Sequence, residues 1–134
     1  MKRLLILSAL IFLLLSFLIL KFDNEEVKFD KFTTVQIKNN PFNFGTITKN
    51  DTVKHIFRIT NITKTPFIIE KVAPSCTCTV LKTDKKVCSF NETASIEVYY
   101  IPKQKQKGKV KTVVFVQCNA EKGVIKLELI GNIN

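Results

Sequence analysis

Histidine occurs once in this 134-residue chain, tryptophan not at all, and glycine four times without clustering. Each scarcity removes a class of chemistry. Gly45, Gly108, Gly123 and Gly131 stand too far apart to build a phosphate-cradling loop. His55 falls in mid-strand on the parity of Val53, Phe57 and Ile59, the setting of a histidine packed near a sheet face or its margin with a hydrogen bond. A general base needs a nucleophile beside it, and no serine or threonine motif offers one. Acids are sparse, and Asp84, Glu92, Glu97, Glu121 and Glu128 are scattered over loops and solvent-side positions. The expectation is a protein that is not an enzyme, with no catalytic residue and no cofactor. An enzyme would need a pocket uniting His55 with acids that lie far apart along the chain.

Long apolar runs are also rare, with one exception at the start. Leu4 to Leu20 is seventeen residues without a charge, preceded by Met1-Lys2-Arg3 and followed by Lys21. As a helix at ~1.5 Å per residue it covers roughly 26 Å, just short of a ~30 Å hydrocarbon layer. Length does not separate a cleaved leader from a retained anchor. The boundary favours retention: Leu18-Ile19-Leu20 lacks a small-x-small cleavage site, and no cysteine stands there to take a lipid. Residues 1–21 are therefore read as a signal anchor, a single transmembrane helix. Lys2 and Arg3 stay inside, and the C-terminal domain lies in the periplasm or otherwise outside the cytoplasm. If the leader is cleaved, the product is secreted.

Residues 22–31 alternate acid and base with little to bury and read as a short polar stalk; residues 32–134 make one domain. Within it no helical period persists, and apolar alternation predicts short strands between turn signals. Expected strands are 32–37 at an edge, 41–47 with Pro41 at its start, 53–60, 67–73, a short or kinked 76–81, 94–100, 109–118 and 124–130. The pattern predicts an all-β fold, an antiparallel β-sandwich of about seven strands, with a small barrel as its rival.

Four cysteines in an exported chain suit disulfides. Cys76 and Cys78, if extended, point the same way with Cα atoms roughly 6.5–7 Å apart, too stretched for comfortable bridging to each other. A turn at Pro74-Ser75 would alter this. The favoured pattern joins one or both of them to Cys88 and Cys118, while one bridge with two free thiols is equally compatible. A Cys-x-x-Cys redox motif would need one more residue and a helix start. A four-thiolate zinc site from Cys76, Cys78, Cys88 and Cys118 lacks close paired knuckles, and two thiolates suit at most a soft ion such as copper(I). These cysteines are weak metal candidates, and the expectation is no metal.

Basic residues outnumber acids, 21 to 11. Removing Lys2, Arg3 and Lys21 from the 21 leaves 18, so the exported part carries about +7. Lys103, Lys105, Lys107, Lys109 and Lys111 recur at every second position, which in an extended ribbon lines one edge or face. Without interleaved aromatics, and in an exported chain, nucleic acid is not the expected partner. An anionic surface or an unknown envelope protein fits better, and the plain alternative is a solvated hairpin whose lysines discourage strand pairing. Asn50, Asn61 and Asn91 each begin an Asn-x-Thr sequon, as expected by chance in an Asn- and Thr-rich chain.

Several stretches together resemble a bacterial family known as domain of unknown function 1573: "FNFGTI" at 42–47, "VKHIFRITN" at 53–61, "TPFIIEKVAPSCTCTV" at 65–80, and "GKVKTVVFVQCN" with "IKLELIGNI" across 108–133. The family's His-x-Phe-x-x-x-Asn element falls on His55, Phe57 and Asn61. Its Ser-Cys-Gly-Cys-Thr signature falls on Ser75, Cys76, Thr77, Cys78 and Thr79. Thr77 replaces the usual glycine, so the backbone there must use ordinary dihedrals or be strained. Phe90-Asn91-Glu92 replaces the usual Pro-Gly-Glu, and asparagine still serves a tight turn. Cys88 and Cys118 lie outside the family pattern, which suggests that they partner each other or the signature pair. The resemblance implies an immunoglobulin-like sandwich acting through its surface, with no catalytic residue or ligand carried over.

The reading from sequence is a membrane-anchored, outward-facing envelope module that is structural or protein-binding and stabilised by disulfides. Its alternative is a soft-metal (copper or zinc) binding or thiol-redox protein using Cys76 and Cys78.

Overall fold

The computed structural model describes residues 32–134, where apolar alternation resolves into strands. In chain order these are β1 (Val35–Ile37), β2 (Phe42–Ile47), β3 (Val53–Asn61), β4 (Phe67–Pro74), β5 (Thr79–Thr83), β6 (Val87–Cys88), β7 (Thr93–Tyr100), β8 (Gly108–Cys118) and β9 (Val124–Ile133). One sheet has the order β1-β3-β7-β5, the other β2-β9-β8-β4-β6. Inward residues of both meet in one core. Phe57 and Ile59 come from β3, Ile96, Val98 and Tyr100 from β7, Phe67 and Ile69 from β4, Val114 and Val116 from β8, and Leu127 and Leu129 from β9. Burying each such side chain stabilises the fold by about 1.5–3 kcal/mol before chain entropy is set against it.

Two expectations about the sheets are corrected. There are nine strands among the described residues rather than about seven: each of the eight expected segments holds one, and β6, a two-residue rung on β4, leaves no alternation to read. The sandwich is also not wholly antiparallel: β2 runs parallel to β9. β1 and β2 are one run of chain that changes sheets at residues 38–41 without reversing. Asn39 there takes a left-handed φ of 56° and the Asn40–Pro41 peptide is cis. β9 runs in the same direction, so β2 meets it in parallel. The Asn40 side chain extends this edge, donating from Nδ2 to the Lys126 carbonyl (2.9 Å) and accepting the Glu128 N–H at Oδ1 (2.8 Å).

The register gives the sandwich two unlike ends. At the near end the chain enters: Val35 faces Asn61, and Thr33 N–H donates to the Asn119 carbonyl at 3.0 Å. At the far end Val53 and Thr79 both face Tyr100, Gly108 faces Ile133, and the turn at residues 75–78 carries the chain from β4 in one sheet to β5 in the other. Among the described residues no helix is long and apolar enough to cross a membrane. The anchor expected at 1–21 and the stalk expected at 22–31 lie outside the described residues.

Candidate functional site

Far-end chemistry begins with the turn after Pro74. It closes the distance that an extended strand would leave, bringing the Cα atoms of Cys76 and Cys78 to 5.3 Å, and the two residues form a disulfide with each other. This corrects the pairing expected from sequence. Thr77 sits between them without a left-handed φ, so the missing glycine is accommodated by ordinary dihedrals. The turn is held by bonds that do not involve the bridge. Ser75 N–H donates to the Val113 carbonyl (2.7 Å), Val113 N–H donates back to Ser75 Oγ (3.0 Å), and Ile101 N–H donates to the Cys78 carbonyl (2.8 Å). A bridge over so short a loop restrains the unfolded chain by only about 1.6 kcal/mol on the chain-entropy relation, against ~3 kcal/mol for a fifteen-residue loop.

Around the bridge lies a small, polar-rimmed cleft of about 150 Å³ whose lining includes Tyr100, Lys103, Gln106 and Lys111. Hydroxyls form a chain along it: Ser75 Oγ to Thr112 Oγ1 at 3.3 Å, and Thr112 Oγ1 to Thr79 Oγ1 at 3.5 Å. Tyr100 donates its hydroxyl to Gln106 Oε1 (2.9 Å), and burial holds its pKa above the usual phenol value despite that bond. The Cys78 N–H points at Cys76 Sγ, 3.1 Å away. Chemically, the cleft offers two sulfurs, one of them amide-bonded, flanked by two ammonium groups.

A larger groove of about 630 Å³ runs beside it on the outer face of the five-stranded sheet, between Asn43 and Thr46 of β2 and Lys109 and Lys111 of β8, with Ile130 and Asn132 of β9 between. Gly131 belongs to its floor and lies against the Phe44 ring, which occupies the space a Cβ would need. The sequence missed Ser75, Thr112, Gln106, Asn43 and Asn132 as members of a site. Only Ser75 carried a signal, through its place beside the cysteines.

The lysine row is split by the structure. Lys109 and Lys111 keep strand alternation and share the outer face of β8. Lys103, Lys105 and Lys107 instead occupy a loop whose turn is closed by Gln106 N–H on the Lys103 carbonyl at 2.9 Å. The single-ribbon expectation fails because Lys103 and Gln106 form that turn before the strand starts. Lys111 pairs with Glu128 at 2.9 Å.

Cys88 and Cys118 are buried free thiols, so the favoured joining to Cys76 and Cys78 does not form and the alternative of one bridge with two free thiols does. Cys88 faces Phe67 and Cys118 faces Ile69, on opposite sides of β4, so two strand spacings of ~4.8 Å separate them, beyond bridging range. Both sit at the near end, the length of β4 away from Cys76 and Cys78, so the four sulfurs do not converge. Among the described residues no group of three or more His, Cys, Asp or Glu side chains is arranged as metal ligands. Burial raises the pKa of both thiols.

His55 packs as expected, stacked on Phe42 with ring centroids 3.7 Å apart and edge-on to Phe57 at 4.6 Å. The hydrogen bond expected for it is missing: Nε2 is buried without a partner among the described residues. Burial first, and the Arg58 charge second, lower its pKa. Asn61 is fully buried with its amide engaged, so its sequon cannot take a glycan in the folded domain. Asn91 adopts φ 62°, supplying the left-handed residue that glycine usually gives a tight turn.

No curated protein sequence matches the chain. Among solved structures, a protein of unknown function from Porphyromonas gingivalis W83 superposes with TM-score 0.67 at 11% identity, over 76% of this chain and 47% of that one. The chain thus spans about half of that protein's length. PapD-like domain 7 of human CEP192 follows at TM-score 0.55 and 13% identity, over 75% of this chain and 84% of that one. The VesB protease of Vibrio cholerae matches at TM-score 0.52 and 12% identity, over 76% of this chain and 31% of that one. These likenesses show a shared fold and nothing more. The family model described as Protein of unknown function (DUF1573) matches residues 35–133, and the chain belongs to that family.

Proposed function

We propose that this member of the family is a non-catalytic module of the bacterial cell envelope. It is an immunoglobulin-like sandwich, tethered to the membrane through residues 1–21 and held outside the cytoplasm, that binds an envelope protein through its far end. The observation that carries the reading is the opposition of the two ends: the chain enters beside Thr33 and Val35, and the lysine-flanked groove opens toward the other end. A tether attached at the near end leaves the far end, with its groove, free to meet a partner.

The groove's chemistry names the kind of partner. No acid is among its lining residues, and Lys109 has no ion pair among the described residues. Asn43 and Asn132 add amide donors and acceptors over an apolar strip at Ile130. That combination suits an extended, carboxylate-bearing polypeptide segment, with positive charge steering the encounter.

Two measurements test the reading. Protease added to intact spheroplasts digests the domain if it lies outside the cytoplasm, and digestion only after lysis overturns the export. In native membranes, Lys109→Glu with Lys111→Glu lowers cross-linking to the bound partner by about tenfold, while Lys85→Glu with Lys86→Glu leaves it unchanged. Equal loss in both pairs, or in neither, removes the groove from the reading.

A further inference from the structure

We propose that Cys76–Cys78 is an exchangeable disulfide, in which Cys78 Sγ takes the thiolate of a cysteine on another polypeptide and Cys76 Sγ leaves. The proposal stands apart from the groove reading and uses none of its outcomes.

Direction comes from the turn. Attack on one sulfur of a bridge places negative charge on the other. The Cys78 N–H already lies 3.1 Å from Cys76 Sγ, and an amide bond to sulfur strengthens as that sulfur becomes anionic. Cys76 is therefore the better leaving thiolate. Cys78 Sγ has one hydrogen-bond contact among the described residues, Thr79 Oγ1 at 3.9 Å, which is too long to give equal help. Lys103 and Lys111 line the same cleft and favour an incoming thiolate, although Lys111 shares its charge with Glu128.

Reversibility comes from the strands. Ser75 is tied in both directions to Val113 and the Cys78 carbonyl is tied to Ile101, so opening the bridge leaves both ends of the turn fastened. Size selects the partner. A cleft of about 150 Å³ holds roughly five waters' volume, room for one side chain but not for a nucleotide or flavin. The reacting sulfur therefore arrives on a side chain.

In the first step the partner thiolate forms a bond to Cys78 Sγ. The Sγ–Sγ bond breaks, and its electron pair stays on Cys76 as thiolate. In the second step another thiolate of the same partner attacks the partner's sulfur in the mixed disulfide and expels Cys78 as thiolate. Two partner thiols become one disulfide, and one disulfide here becomes a dithiol. Electrons balance without a further oxidant, and the two protons of the partner thiols are available to the Cys76 and Cys78 thiolates.

The test uses the full-length oxidised protein. It is mixed in parallel with a cysteine-containing peptide and with reduced glutathione, quenched with N-ethylmaleimide and mapped by mass spectrometry. The expected result is a mixed disulfide on Cys78 at least about tenfold more abundant than on Cys76, forming faster with the peptide. Cys88 and Cys118 remain unmodified until the protein is denatured. Absence of exchange in protein with an unchanged β-sheet circular dichroism spectrum overturns the proposal, and so does a majority of adduct on Cys76. Faster reaction with glutathione than with the peptide overturns the assignment to a polypeptide partner.

Discussion

Asn61 holds the near end together more than any other single side chain, and replacing it should show how much. Its residue is fully buried at the end of β3. Nδ2 donates to the Thr65 carbonyl at 2.9 Å and to the Cys88 carbonyl at 3.0 Å, while Oδ1 accepts Thr63 N–H at 2.9 Å and Thr63 Oγ1 at 3.0 Å. One amide thus clamps the β3–β4 connection to β6, across the two sheets. Each bond is worth about 1 kcal/mol net, and a buried carbonyl left bare costs about 1–3 kcal/mol. Thr63 and Thr65 are partly accessible and water would replace some of their bonds; Cys88 is fully buried. Asn61→Ala should therefore destabilise the domain by about 3 kcal/mol, near the upper range for one side chain. In urea, with a slope of roughly 1.5 kcal/mol per M, the midpoint falls by about 2 M. Asn61→Asp provides the sharper arm. It retains both acceptor bonds to Thr63 but turns a carboxylate toward two carbonyl oxygens, so its folded pKa rises above the ordinary ~3.9. That variant gains relative stability at acid pH and loses it as pH rises through its folded pKa, the reverse of a salt-bridged acid. A midpoint shift below about 0.5 M for Asn61→Ala, or an Asn61→Asp variant as stable as the parent at neutral pH, would refute the reasoning.

Gly131→Ala places a methyl group where the Phe44 ring lies, so thermal stability should drop by about 1–3 kcal/mol, and Phe44→Leu in the same chain should restore part of it in a double-mutant cycle. His55 has a folded pKa below its ordinary 6.5, chiefly from burial, so the folded state favours neutral imidazole. Above 6.5 that contribution is complete, and it is lost as pH falls from 6.5 through the folded pKa. Melting curves should show the loss, and His55→Phe, which retains the stack on Phe42, should flatten it. Cys88 and Cys118, buried and with raised pKa values, should resist maleimide in the folded protein and react on unfolding; rapid native labelling of either would contradict their placement.

Strands with a clean period of two were legible in the sequence. The alternation that predicted strands at 94–100 and 109–118 is the alternation of burial in β7 and β8, with Ile96, Val98 and Tyr100 inward on one and Val114, Val116 and Cys118 inward on the other. What sequence missed depended on turns and on partners far along the chain. β6 has no period because it has two residues, and its place is fixed by β4. An extended strand holds Cys76 and Cys78 too far apart to bridge, and the corner between the sheets brings their Cα atoms to 5.3 Å. The five lysines looked continuous because sequence alternation does not announce that Lys103 and Gln106 close a turn. The hydroxyl chain joining Ser75, Thr112 and Thr79 spans 37 positions, so no local pattern could have brought it together.

The cysteines show how one topology produces two kinds of sulfur. β4 begins between the strands that carry Cys88 and Cys118, and ends at the turn that carries Cys76 and Cys78. At its start both neighbours point into the core, where apolar packing penalises the thiolate and two strand spacings forbid a bridge. At its end the chain must leave the sheet to cross to β5, and a chain leaving a sheet exposes amides. One of those amides is the Cys78 N–H that meets Cys76 Sγ. Strand pairing accounts for the buried, unbridged pair, and the interruption of pairing accounts for the bridged one. The corner is fastened on both sides by backbone bonds to Val113 and Ile101, independently of the short bridge between its two cysteines.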